Sequence, residues 1–207
     1  MDDWAILELL VYFTGSLIAL TQSVVFAHYY RLFRRDHLLL WSLSFFALAI
    51  YLGAAGTSLL LMSKLASAHP LRLVISCISL MAAYLQVVSL VLGTIAIWRT
   101  QRWTRKQISI ALALACLVGV CTGLAYAFDP GSSQQRMFLR VGLRYLVTGV
   151  AALSMGVAIA RRWPRGRLGQ QLTAIALCVY GLDLLHVFSG YVAQTIGTPL
   201  WPWFRQT

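Results

Sequence analysis

Arg136-Met-Phe-Leu-Arg140-Val-Gly-Leu-Arg144-Tyr145, followed by an almost wholly apolar run to Ala160, sets the problem that the rest of the chain must solve. Arginine recurs at every fourth position, so on a helix the three guanidinium groups form one stripe down a single face. The apolar run is long enough to read as a membrane span over about Met137–Ala160. With a rise of about 1.5 Å per residue, Arg140 and Arg144 then lie about 9 and 14 Å inside it. A cation at that depth costs roughly 2.5–3.5 kcal/mol on insertion scales, so it is expected to face a partner or a wet cavity.

Composition agrees with a membrane setting. Of the 207 residues, 59% are hydrophobic and 11% charged, and the mean hydropathy is +0.74. A soluble domain carries about a quarter of charged residues. Five further spans are expected at about Trp4–Ala27, Leu38–Met62, Leu71–Ile97, Gln107–Phe128 and Leu168–Ala193. The first opens on Met1-Asp2-Asp3, which lacks the basic start of a cleaved signal peptide. No stretch alternates apolar with polar residues, which excludes a β-barrel. The expected fold is all-α: a polytopic transmembrane helical bundle of six spans, forming one domain over residues 1–207.

The loops orient it. Arg31, Arg34 and Arg35 follow the first span, Arg99, Arg102, Arg105 and Lys106 the third, and Arg161, Arg162, Arg165 and Arg167 the fifth. Eleven of the 17 basic residues therefore fall on one side, while the opposite loops hold only Lys64, with Arg72 and Arg136 at their edges. Positive charge stays inside, so the N-terminus is outside. The net charge of +11 is then a topology signal facing anionic lipid, and nucleic acid is excluded as a partner. Six spans put the tail outside too, where Trp201 and Trp203 suit the interface and two prolines break the helix. The tail ends where another span would begin, so the chain is expected to be a shortened form of something longer.

Motif chemistry is sparse. Cys77, Cys116, Cys121 and Cys178 lie inside spans with no CxxC and read as small packing residues. Gly119-Val-Cys-Thr-Gly123 and the thin side of span five at Gly149, Leu153 and Gly156 fit close helix approach. His28 and His37 lie at the inner face and His69 in a loop, with His186 alone in span six. No two are set for bis-histidine haem ligation, and no metal or other cofactor is implied. There is no HExxH, GxSxG or Gly-rich phosphate loop, so this chain is not read as an enzyme.

Tyr29-Tyr-Arg-Leu-Phe-Arg-Arg-Asp-His-Leu-Leu-Leu-Trp41, continuing to Tyr51, resembles the first cytoplasmic loop and second helix of a bacterial membrane sensor region. Regions of this kind precede diguanylate cyclase or histidine kinase output domains. Ala83-Tyr-Leu-Gln86, Ala127-Phe-Asp-Pro130, Arg140-Val-Gly-Leu-Arg144 and Tyr180-Gly-Leu-Asp-Leu-Leu-His186 extend the resemblance over nearly the whole chain. It implies a seven-helix sensor bundle, here stopping before the seventh helix, in the bacterial inner membrane. It further implies signalling through an output domain that dimerises, and hence a homodimer.

Asp183 and His186, three apart on span six, are expected on one face about 15 and 10 Å below its outer end, level with Arg144 and Arg140. An Arg144–Asp183 ion pair is expected, with Arg136 at the mouth and Glu8 of span one completing the cluster. Tyr84 and Gln86 lie deeper on span three. Such a group either pins the bundle together or lines an outward pocket, and a proton relay through Asp183 and His186 is a third use. Three arginines outnumber two carboxylates, so a pocket would suit an anionic or lipid-like ligand. The resulting expectation is a sensory, ligand-binding membrane domain whose partners are lipid and that ligand. A small transporter or channel subunit, or a small membrane enzyme, is the alternative.

Overall fold

The computed structural model describes residues 3–62, 70–98, 103–128, 142–162 and 168–196. All secondary structure among them is helical: α1 (Asp3–Phe33), α2 (Asp36–Met62), α3 (Pro70–Trp98), α4 (Arg105–Phe128), α5 (Leu143–Arg162) and α6 (Leu168–Ile196). Five of these, α1 to α4 and α6, are long and apolar enough to cross a membrane, which makes the chain a multi-pass membrane protein. α5 has 20 residues and carries Arg144 near its start with Arg161 and Arg162 at its end. It does not reach that measure within its described residues.

The helix ends follow from local chemistry. Pro70 opens α3, where a missing N–H costs nothing. Asp36 opens α2 with negative charge at the positive end of the helix dipole. Ahead of α4 the Thr104 N–H donates to Gln107 Oε1 (3.1 Å) and the Gln107 N–H to Thr104 Oγ1 (3.3 Å). That reciprocal pair satisfies two donors that a helix start would otherwise leave bare.

Between α1 and α2 only Arg34 and Arg35 are non-helical. Arg34 turns the chain with φ 51°, and its N–H donates to the Tyr30 carbonyl (2.8 Å). Left-handed backbone suits glycine best. The guanidinium sits 6.0 Å from the Tyr30 ring centre, which offsets part of the strain. Arg34→Gly is expected to stabilise the protein by up to about 1 kcal/mol, read as a higher midpoint of unfolding in mixed detergent micelles.

The helices fall into two compact units, Met1–Asp129 and Pro130–Thr207. In the first, α2 packs on α1 and α3, and α3 also on α4. Leu40 and Leu80 are its largest fully enclosed apolar side chains. Serine knits α1 to α2: Ser23 Oγ donates to the Ser42 carbonyl (2.8 Å), and Ser42 Oγ to the Ser23 carbonyl (2.9 Å). Ser16 Oγ donates to the Ala49 carbonyl (2.8 Å), and Ser44 Oγ ties α2 to the Gln86 carbonyl of α3 (3.0 Å). Small residues let the backbones come this close, and hydroxyl–carbonyl bonds then hold them where lipid offers no competing donor.

The second unit is the α5–α6 pair. A Cβ added at Gly149 would stand 3.0 Å from the Gly181 carbonyl, and one at Gly156 2.8 Å from the Ala174 carbonyl. Backbone therefore lies against backbone.

Candidate functional site

The expected site residues fall in both units. Glu8 is exposed on α1, while Tyr84 is half-buried and Gln86 buried on α3. The Gln86 carbonyl is committed to Ser44. Arg144, half-buried at the start of α5, belongs to the second unit together with Asp183 and His186, both exposed on α6. Arg136, Arg140, Trp201 and Trp203 lie outside the described residues.

The two helices of the second unit run antiparallel, in a register set by their glycines. Gly149 meets Leu185, Leu153 meets Gly181, and Gly156 meets Cys178. Beyond them Tyr145 stacks on Tyr191, with ring centres 6.0 Å apart. In that register Asp183 is level with Ala151 and Arg144 with Gly190, an offset of roughly 10 Å at 1.5 Å per residue. Equal depths follow from counting inward from the span ends. The glycine contacts fix a different alignment, because helices seat where their backbones can approach.

The Tyr180 phenol lies in electrostatic range of both Arg144 and Asp183. In the same register Tyr180 is level with Ser154, further along the axis from Arg144 than Asp183 is. Tyr180 stands one turn before Asp183 on the same face, and that i, i+3 spacing is the sequence signal that marks it.

α6 is sharply two-sided. Ala174, Cys178, Gly181 and Leu185 meet α5. On the opposite side Leu172, Ala176, Val179, Tyr180, Asp183 and His186 are all exposed. Asp183 sits near the centre of the apolar segment Gln171–Ala193.

The four cysteines carry no disulfide. Cys77 and Cys178 fill the space that Gly123 and Gly156 leave open. Among the described residues no three His, Cys, Asp or Glu side chains gather to hold a metal ion. Compared with known protein families, curated proteins and solved structures, the chain matches none.

Proposed function

We propose that the chain is the membrane-embedded sensory domain of a bacterial signal-transduction protein, crossing the inner membrane six times with its N-terminus outside. Its ligand is an anionic or amphiphilic small molecule held on α5 and α6. The observation that carries this reading is that Arg144 and Asp183, both set in the α5–α6 pair, each act electrostatically on Tyr180. A guanidinium offers a planar fork of donors to a carboxylate or phosphate. The apolar residues of α6 suit the tail of an amphiphile.

α5 serves as the remaining span. From Tyr145 to Ala160 it is free of charge, and those sixteen residues rise about 24 Å. The hydrocarbon layer is about 30 Å thick. Arg144 at one end and Arg161 at the other have stems long enough to reach opposite interfaces, which closes the difference. Eleven basic residues gathered on alternate loops support the orientation. A ligand signals from such a site by preferring one of two helix packings over the other.

One observation favours a transporter instead: Asp183 lies mid-span, where ion pathways keep their carboxylates. Native mass spectrometry of the gently purified chain separates the readings. A retained anionic or lipid-like molecule is expected, and Arg144→Ala should lower its occupancy at least about fivefold, the loss of one charge-assisted hydrogen bond. Identical spectra from the two proteins, or proton flux through liposomes bearing the chain, would sink the sensory reading.

A further inference from the structure

Hydroxyl groups in these helices follow two habits. Thr21, Thr57, Thr94, Thr122 and Ser154 each donate to the carbonyl four residues earlier, at 2.6–2.9 Å. Ser16, Ser23, Ser42 and Ser44 donate across to a neighbouring helix. Ser79 and Ser89 of α3 do neither. They are 2% and 0% exposed, and neither hydroxyl has a hydrogen-bond partner. Ser79 lies nine residues from Pro70 and Ser89 nine from Trp98, so each is about 14 Å inside the helix. A hydroxyl enclosed at that depth and left unpaired carries the full cost of its lost hydration.

Both belong to one stripe of α3, Ser79, Ala82, Gln86, Ser89 and Gly93, whose members recur every three or four residues. That stripe meets α2. Ser44 Oγ reaches the Gln86 carbonyl, and a Cβ added at Gly93 would touch Leu40 and Trp41. α4 seats elsewhere on α3, at Cys77 and Met81.

We infer that Ser79 and Ser89 are water-binding sites, each holding a water molecule enclosed in the seam between α2 and α3. The walls dictate the occupant. Leu38–Met62 of α2 and Leu73–Trp98 of α3 contain no charged residue, so nothing there would hold an ion. Enclosure this complete leaves no way in for a lipid chain. Water fits both halves of a hydroxyl's chemistry, because it accepts from the O–H and donates to the lone pairs. Buried water settles where it finds two or more polar partners. In the register that sets Leu40 against Gly93, Ser44 is level with Ser89. Its Oγ spends its proton on the Gln86 carbonyl and keeps its lone pairs to accept from the same water. Ser79 is level with Ala54 in that register, where a methyl group takes little of the space. The two serines are ten residues and about 15 Å apart, so the sites are separate and form no file of water through the unit. The inference goes beyond the sensory reading, since it needs neither ligand nor output domain.

The test uses the full chain, with serine carbon-13 labelled, in liposomes of phosphatidylglycerol and phosphatidylethanolamine with deuterated acyl chains. In water-edited solid-state NMR, the signals that vanish in Ser79→Ala and Ser89→Ala are expected to gain magnetisation from water several-fold faster than those of Ser23 and Ser42. The latter two, assigned in the same way, are buried but bonded to each other's carbonyls, so they report dry hydroxyls. Unfolding in mixed micelles with rising SDS gives a second reading. Ser79→Ala and Ser89→Ala are each expected to raise the unfolding constant about threefold to tenfold, the worth of one hydrogen bond. The sign decides, because replacing a dry, unpaired hydroxyl by alanine removes a penalty and lowers that constant. Alanine is also the better helix former, so propensity cannot produce the rise. Transfer at both serines as slow as at Ser23 overturns the inference. So does an unfolding constant lowered by both substitutions.

Discussion

Gly119→Leu is expected to cost more than about 3 kcal/mol of stability, and Gly119→Ala about 1–3 kcal/mol. A Cβ added at Gly119 would stand 2.5 Å from Met81 Cα and 2.8 Å from its nitrogen. Both are backbone atoms in mid-helix, so no rotamer relieves the clash and α4 must back away from α3. Separation undoes the whole contact, including the seat of Gly123 on Cys77. Gly53→Ala is the matched control. Its added Cβ would meet nothing closer than Ser16 Oγ at 3.5 Å, and alanine favours a helix over glycine by up to about 1 kcal/mol. Unfolding both variants in mixed micelles with rising SDS reads the difference. Equal losses would mean that α4 does not press on α3 through Gly119.

Gly93→Ala carries the second large effect, about 1–3 kcal/mol, but here the loss is reparable. The added Cβ would meet Trp41 Cδ1 at 2.6 Å and Nε1 at 2.7 Å, atoms of a side chain that can be trimmed. The indole nitrogen is buried with no hydrogen-bond partner, so Trp41→Phe forfeits no bond. It leaves a ring to face Phe26, whose centre lies 5.5 Å from that of Trp41. The double variant is therefore expected to lose less than the sum of the two single losses, by about 0.5–3 kcal/mol. Strict additivity in the same unfolding assay would place the Gly93 clash elsewhere.

The helices are legible in sequence because about twenty apolar residues bounded by arginine leave little else to form. The expected spans Leu38–Met62 and Leu71–Ile97 lie within one or two residues of α2 and α3. α1 outruns its apolar stretch to Phe33, since arginine and tyrosine continue a helix without penalty once it has begun. The expected fifth span begins at Met137, among residues outside those described. Gly119 and Gly123, read as a close-approach motif, do seat α4 on α3. Gly149, Leu153 and Gly156 do the same for α5 on α6.

Two things escape hydropathy. The serines joining α1 to α2 are neutral on such scales, and only their matching with opposing carbonyls shows what they do. Depth counted from span ends cannot give register, because register belongs to the pair and not to either helix. The candidate site suffers from this most. Arg144, Asp183 and His186 are legible as misplaced polar residues in apolar runs. Tyr180, which feels both Arg144 and Asp183, looks by composition like any other aromatic.

The two-residue turn at Arg34 and Arg35 has a consequence for biogenesis. Closing so short a link costs little chain entropy, and the serine bonds need only residues up to Ala49. The first two helices therefore have all they need to pair while the ribosome is still making α3. Later helices insert beside a finished hairpin, and an error at Ser23 or Ser42 is felt during synthesis, before the rest of the chain exists to compensate.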